Sequence, residues 1–128
     1  MSFTTTIKIT NLPEIRRAFD KAPRLMNDEL KQALTKSAIN VEAKSKINTP
    51  VATGYLRASH AFKVSGSGLS MKAEIGPTAD YAVFVHEGTR FMRGRPFLQE
   101  AAESSDWEIQ GYFTKAVQNV LDRIGRDV

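Results

Sequence analysis

The chain contains no cysteine. Disulfides, thiolate-ligated metals and a cysteine nucleophile are therefore excluded. Histidine is nearly as scarce: His60 and His86 are the only two, so a zinc site would need both of them plus carboxylates from elsewhere. No apolar run approaches the ~18 residues that suggest a membrane span. The opening MSFTTTIKIT has neither a basic leader nor an apolar core, so no secretory signal is expected and the chain should be made in the cytoplasm. No low-complexity stretch, internal repeat or linker divides the sequence, and its 128 residues predict a single domain over 1–128.

What is present suits a soluble globular protein. The apolar fraction of 41% and charged fraction of 25% are ordinary, and a domain of this size can bury roughly two-thirds of its unfolded surface. The net charge of +4 is unevenly spread: residues 1–60 carry ten Lys/Arg against five Asp/Glu, and residues 61–128 carry eight against nine. The basic half could meet DNA or an acidic protein rim, or it could be a solvated helix face.

Periodicity gives the elements. Phe3, Ile7 and Ile9 share one parity in a β-branched run, which predicts a strand with one buried face. Pro13 suits the first turn of a short helix carrying Ile15 and Phe19, which Pro23 interrupts. From about Leu25 to Asn48, Met26, Leu30, Leu34, Ala38, Val41 and Ser45 recur at spacings of four and three, one continuous helical stripe. Pro50 closes that helix. Two alternating runs follow, His60-Phe62-Val64 and Leu69-Met71-Ala73-Ile75, with Gly66-Ser67-Gly68 between them. These predict a hairpin. Asp80 to Glu87 reads best as a short apolar helix capped by Gly88, with a strand over Tyr81–Val85 as the alternative, and Arg90 to Arg95 as an arginine-rich loop. Pro96 then starts a last helix reaching about Ile124, with Phe113, Ala116, Val117, Val120 and Ile124 as its stripe and Gly111 its weak point. The expected fold is α+β: a small antiparallel sheet of three or four strands against a long first helix and a long C-terminal helix.

A search for catalytic chemistry fails. His86-Glu87 begins like the metalloprotease H-E-x-x-H, but position 90 is Arg90 and Gly88 interrupts the turn the motif needs. His86 is better read as a side chain bonded to a neighbour. Gly-Ser-Gly at 66–68 has the wrong spacing for a nucleophile elbow. No phosphate loop or dinucleotide fingerprint occurs, so neither a cofactor nor a metal is expected. Arg90, Phe91, Met92, Arg93 and Arg95 interleave arginine with apolar side chains. Such a loop can contact nucleic acid or form the centre of a protein interface. The interface reading is preferred, because the arginines form one short cluster, not a long basic stripe.

Two segments together resemble a known family. The first is Thr49-Pro50-Val51-Ala52-Thr53-Gly54-Tyr55-Leu56-Arg57-Ala58-Ser59, of the form proline, then T-G-x-L-R-x-S. The second is Tyr81-Ala82-Val83-Phe84-Val85-His86-Glu87-Gly88-Thr89, followed by Arg95-Pro96-Phe97-Leu98. In order and spacing they are similar to the minor tail component, or tail-completion and neck protein, group of lambdoid and related long-tailed phages, over roughly residues 25–125. Physically, Gly54, after Thr53 of the motif, should let the chain turn sharply before Tyr55 and Leu56 dock on the core. Arg57 should bond that corner. Tyr81, Val85 and Phe84 should pack the short helix inward, with Gly88-Thr89 ending it. Pro96 and Phe97 should open the last helix in its first turn.

The resemblance implies a non-catalytic virion subunit that forms or completes a ring at the head–tail joint or tail end. Its partners would be other head–tail connector or tail-tube proteins and further copies of itself, with a monomer in isolation and DNA contact secondary. No membrane is involved; it would be found in the host cytoplasm during assembly and then in the virion. A ring subunit presents one patch to a different patch on its neighbour. The candidates are the Arg90–Arg95 loop, the amino-terminal strand and an exposed edge of the hairpin. A basic nucleic-acid-binding or regulatory protein is the competing reading, and an enzyme the third.

Overall fold

The structure, a computed structural model, describes residues 4–8, 12–50, 54–90 and 92–126. It is α+β, with a three-stranded antiparallel sheet, a long helix before it in the chain and a long helix after it. Strand β1 (Thr5–Lys8) precedes helices α1 (Leu12–Lys21) and α2 (Pro23–Asn48). Phe3 and Ile9 lie outside the described residues; Ile7 packs against the core as expected. Ala22, with non-helical φ and ψ of −147° and 71°, separates α1 from α2. Pro23 then opens α2 where its missing N–H costs nothing.

Every member of the expected α2 stripe is buried: Met26, Leu30, Leu34, Ala38, Val41 and Ser45. Each buried leucine contributes on the order of 2 kcal/mol of hydrophobic stabilisation. This one face therefore organises the molecule, with the sheet and the helical region after residue 96 packed against it.

A one-turn helix, α3 (Gly54–Ala58), leads into β2 (His60–Ser65) and β3 (Lys72–Pro77). The two strands pair antiparallel, with Phe62 opposite Ile75 and Val64 opposite Ala73. Strand β1 adds to the other side of β3, Ile7 opposite Ala73. The order is β1-β3-β2, so both the amino-terminal strand and the first hairpin strand are edges. Leu69 falls in a single 3-10 turn, Gly68–Ser70, and is exposed. The alternation of the second run therefore begins only at Met71.

Helix α4 (Ala82–Glu87) ends at Gly88 as expected, and Gly88 takes φ 86°, a conformation that glycine adopts without Cβ strain. The expected arginine-rich loop is instead a small antiparallel ribbon, β4 (Gly88–Thr89) with β5 (Met92–Arg93). The last helical region is two helices, α5 (Phe97–Ser104) and α6 (Asp106–Arg126), broken at buried Ser105. Gly111 does not interrupt α6: the helix runs through it. Its ~1 kcal/mol propensity cost is outweighed by Ala116, Val117 and Val120, which are buried. Pro96 stands one residue before α5, at its cap position, not in the first turn.

Candidate assembly site

The two sequence motifs meet in space around Phe97, which is fully buried. Ser59, at the end of the first motif, accepts bonds through its carbonyl from the Thr78 N–H and hydroxyl, each at 3.0 Å. Its hydroxyl oxygen receives the Ala79 N–H at 3.3 Å. The Tyr55 and Tyr81 rings lie 6.3 Å apart. His60 and His86 both present ring edges to Phe97, at 5.8 and 5.3 Å between centroids. Phe97 thus links the first motif, the second motif and the start of α5.

Leu56 is buried and Arg57 donates from Nη2 to the Thr49 carbonyl at 3.3 Å, as the corner reading expected. Three expectations change. Tyr55 is 70% exposed and Phe84 57% exposed; neither packs inward, because α3 and α4 are too short to bury more than one side each. The inward residues of α4 are Ala82 and His86, with Tyr81 and Val85 half-buried against the core. Gly54 has no left-handed φ, and no atom lies within 4 Å of where a Cβ would be, so the chain's course there does not require glycine. Thr53 lies outside the described residues.

The histidines do different work. His60 Nδ1 faces the carbonyls of Arg57 at 3.0 Å and Leu56 at 3.2 Å, so that nitrogen carries the hydrogen. Its Nε2 then accepts from the Ser45 hydroxyl at 2.7 Å. Burial pushes the His60 pKa below its ordinary value, outweighing those carbonyl bonds. Ser45 beside His60 is a nucleophile–base pairing in geometry, but Ser45 is 0% exposed and no substrate can reach it. His86 Nε2 receives the Gln99 N–H at 3.3 Å, and its Nδ1 lies 3.1 Å from Glu87 Oε1. It ties α4 to α5. Among the described residues, no three histidines or carboxylates gather as metal ligands, and no helix is long and apolar enough to cross a membrane.

These contacts mount the β4–β5 ribbon firmly. Gly94 runs so close to α4 that a Cβ would stand 2.5 Å from the Glu87 carbonyl carbon and 2.8 Å from the Gly88 nitrogen. The Arg95 N–H donates to the Val85 carbonyl at 2.9 Å. Arg90 and Arg93 on the ribbon, and Arg95 just after it, are all exposed. Phe91 lies outside the described residues, and only the backbone of Met92 is described, in β5. At the far end of α5, Lys44 Nζ bonds the Ser104 carbonyl and Glu108 Oε1, both at 2.9 Å. The Lys44 bond holds the Glu108 carboxyl below its ordinary pKa.

A model of the family described as "Bacteriophage HK97-gp10, putative tail-component" matches residues 14–88, more than half of the chain. The chain belongs to the HK97-gp10-like family of phage tail components. The matched span takes in most of α1, then α2, the first motif, the sheet hairpin and α4 up to Gly88. The ribbon arginines and α5–α6 lie beyond it. No curated protein and no solved structure matches this HK97-gp10-like chain significantly.

Sequence reasoning missed the Ser45–His60 bond. A signal was present: Ser45 is the polar member of an otherwise apolar stripe, and buried polar groups find partners.

Proposed function

We propose that this HK97-gp10-like protein is a non-catalytic virion subunit that takes its place in a ring at the head–tail joint or the tail end. It assembles with copies of itself and with connector or tail-tube proteins. The observation that carries this is the β4–β5 ribbon: an arginine-bearing projection held rigidly by Gly94 and Arg95 on a scaffold built from both family motifs. Ribbon rigidity matters because a pre-ordered contact surface loses little entropy on binding. Arginine is also among the residues that dominate interface energies. The enclosed position of Ser45 and His60 supports a structural role for that pair. The two sheet edges, β1 and β2, are further surfaces where subunits can add strands.

The test is electron microscopy of particles from the encoding phage with an early stop codon in this gene. Separate filled heads and tails, or tails of abnormal length, are expected. Normal infectious particles would overturn the proposal. Replacing Arg90, Arg93 and Arg95 together by alanine should reproduce the defect; intact assembly would remove the ribbon from the contact.

A further inference from the structure

The chain segregates its charge sharply around α5. Residues 88–96 carry three arginines and no carboxylate, whereas residues 100–108 carry four carboxylates and no lysine or arginine. Helix α5 separates the two. Its eight residues span about 12 Å, so the basic ribbon stands at one end and the α5–α6 corner at the other. Trp107 projects from that corner, 84% exposed, the most exposed large apolar side chain among those described. It is the only tryptophan in the chain.

Among the described residues, Arg93 and Arg95 enter no ion pair, and no lysine or arginine pairs with Glu100, Glu103 or Asp106. Glu103 and Asp106 accept only from the neutral amides of Gln99 and Gln110. The corner is nonetheless fixed in place, because Lys44 from α2 clamps Ser104 and Glu108.

We infer that the α5–α6 corner of one copy, centred on Trp107 with Glu103 and Asp106 beside it, receives the arginine ribbon of the next copy. The partner is a second copy of this chain, chosen by charge complementarity. A guanidinium can stack on the indole face while it pairs with carboxylates at the rim. The two patches are different and lie at opposite ends of a rigid helix, so the contact is head-to-tail, the kind that builds a ring where its rotation closes. The inference rests on the ring reading above and adds which surface meets which.

The experiment complements the early-stop phage with charge-reversed variants. Arg93→Glu with Arg95→Glu, and separately Glu103→Lys with Asp106→Lys, should each lower the infectious titre roughly 100-fold, since like charges then face each other. All four together should recover to within about tenfold of wild type, as opposite charges again meet. All four positions are exposed, so each purified variant should melt like the parent. A combined variant no better than its parents, or either reversal at wild-type titre, overturns the contact.

A second measurement stands apart from viability. Because the chain has no cysteine, Arg93→Cys with Asp106→Cys introduces the only thiols it carries. A thiol-specific bifunctional reagent applied to purified particles should give a ladder beyond the dimer. Chain present in the particles but uncoupled, or coupled only to dimers, refutes the head-to-tail contact while leaving the ring reading standing. Absence of the chain from the particles overturns both.

Discussion

The bond between Ser45 and His60 offers the sharpest test of how α2 holds the first motif. Ser45→Ala removes one hydroxyl and changes nothing else in a side chain that is 0% exposed. It leaves His60 Nε2 without the donor now 2.7 Å away, on a residue only 7% exposed. Orphaning a buried acceptor costs about 1–3 kcal/mol. Alanine recovers about 0.5 kcal/mol through its better helix propensity. The net loss should be about 1–2 kcal/mol, or a Tm lower by about 3–8 °C for a domain of this size. The assay is thermal unfolding followed by circular dichroism at neutral pH, run on Ser45→Ala, His60→Leu and the double variant. Once His60 is leucine no acceptor remains to orphan, so the double variant should be more stable than the sum of the singles by about 1 kcal/mol. Strictly additive losses would show that the bond does not couple α2 to β2.

Burial lowers the His60 pKa from its ordinary 6.5, so in acid the unfolded chain binds a proton before the folded one does. Stability should therefore be full above about pH 6.5 and fall as pH drops toward the depressed folded value; pH-dependent melting should show this slope, and His60→Leu should lack it. The Glu108 contribution acts in the same direction but enters only below its ordinary 4.5. In chemical denaturation, Leu56→Ala should cost about 2–5 kcal/mol, whereas Tyr55→Ala, one residue away but exposed, should cost less than about 1 kcal/mol. Gly94→Ala should cost about 1–3 kcal/mol in strain and should reduce particle assembly even where the fold persists. Gly54→Ala should change the melting temperature little, within about 0.5 kcal/mol.

The parts legible in the sequence are those where one rule acts alone. Helix α2 has no Gly or Pro after Pro23 and a stripe of uninterrupted spacing, so both its limits and its buried face could be read directly. The sheet hairpin is legible because alternating runs flank a glycine turn, although Leu69 falls in that turn and not in the strand. Trouble began where elements are a turn long. In α3 and α4 an apolar residue has nearly equal chances of facing in or out, and Tyr55 and Phe84 face out. Glycine was an uneven guide. Gly88 marks a true stop, Gly111 marks nothing that packing does not override, and Gly94 matters through a close approach to α4 that no local pattern encodes.

The break at Ser105 is the most consequential feature the sequence concealed. No proline or glycine marks it, and the apolar spacing on either side fits one helix as well as two. The cause is tertiary. Phe97, Leu98 and Ala101 bury one face of α5 beside α2, while Val117 and Val120 bury a face of α6 against the same core. Between these two packed faces the chain turns at a small buried serine, Ser105. Lys44 caps the turn from α2 by bonding the Ser104 carbonyl, one of the carbonyls that a helix end leaves unpaired. That turn is also what brings Glu103, Asp106 and Trp107 together at one exposed corner. The same packing that hid the break from periodicity therefore creates the surface on which the head-to-tail contact depends.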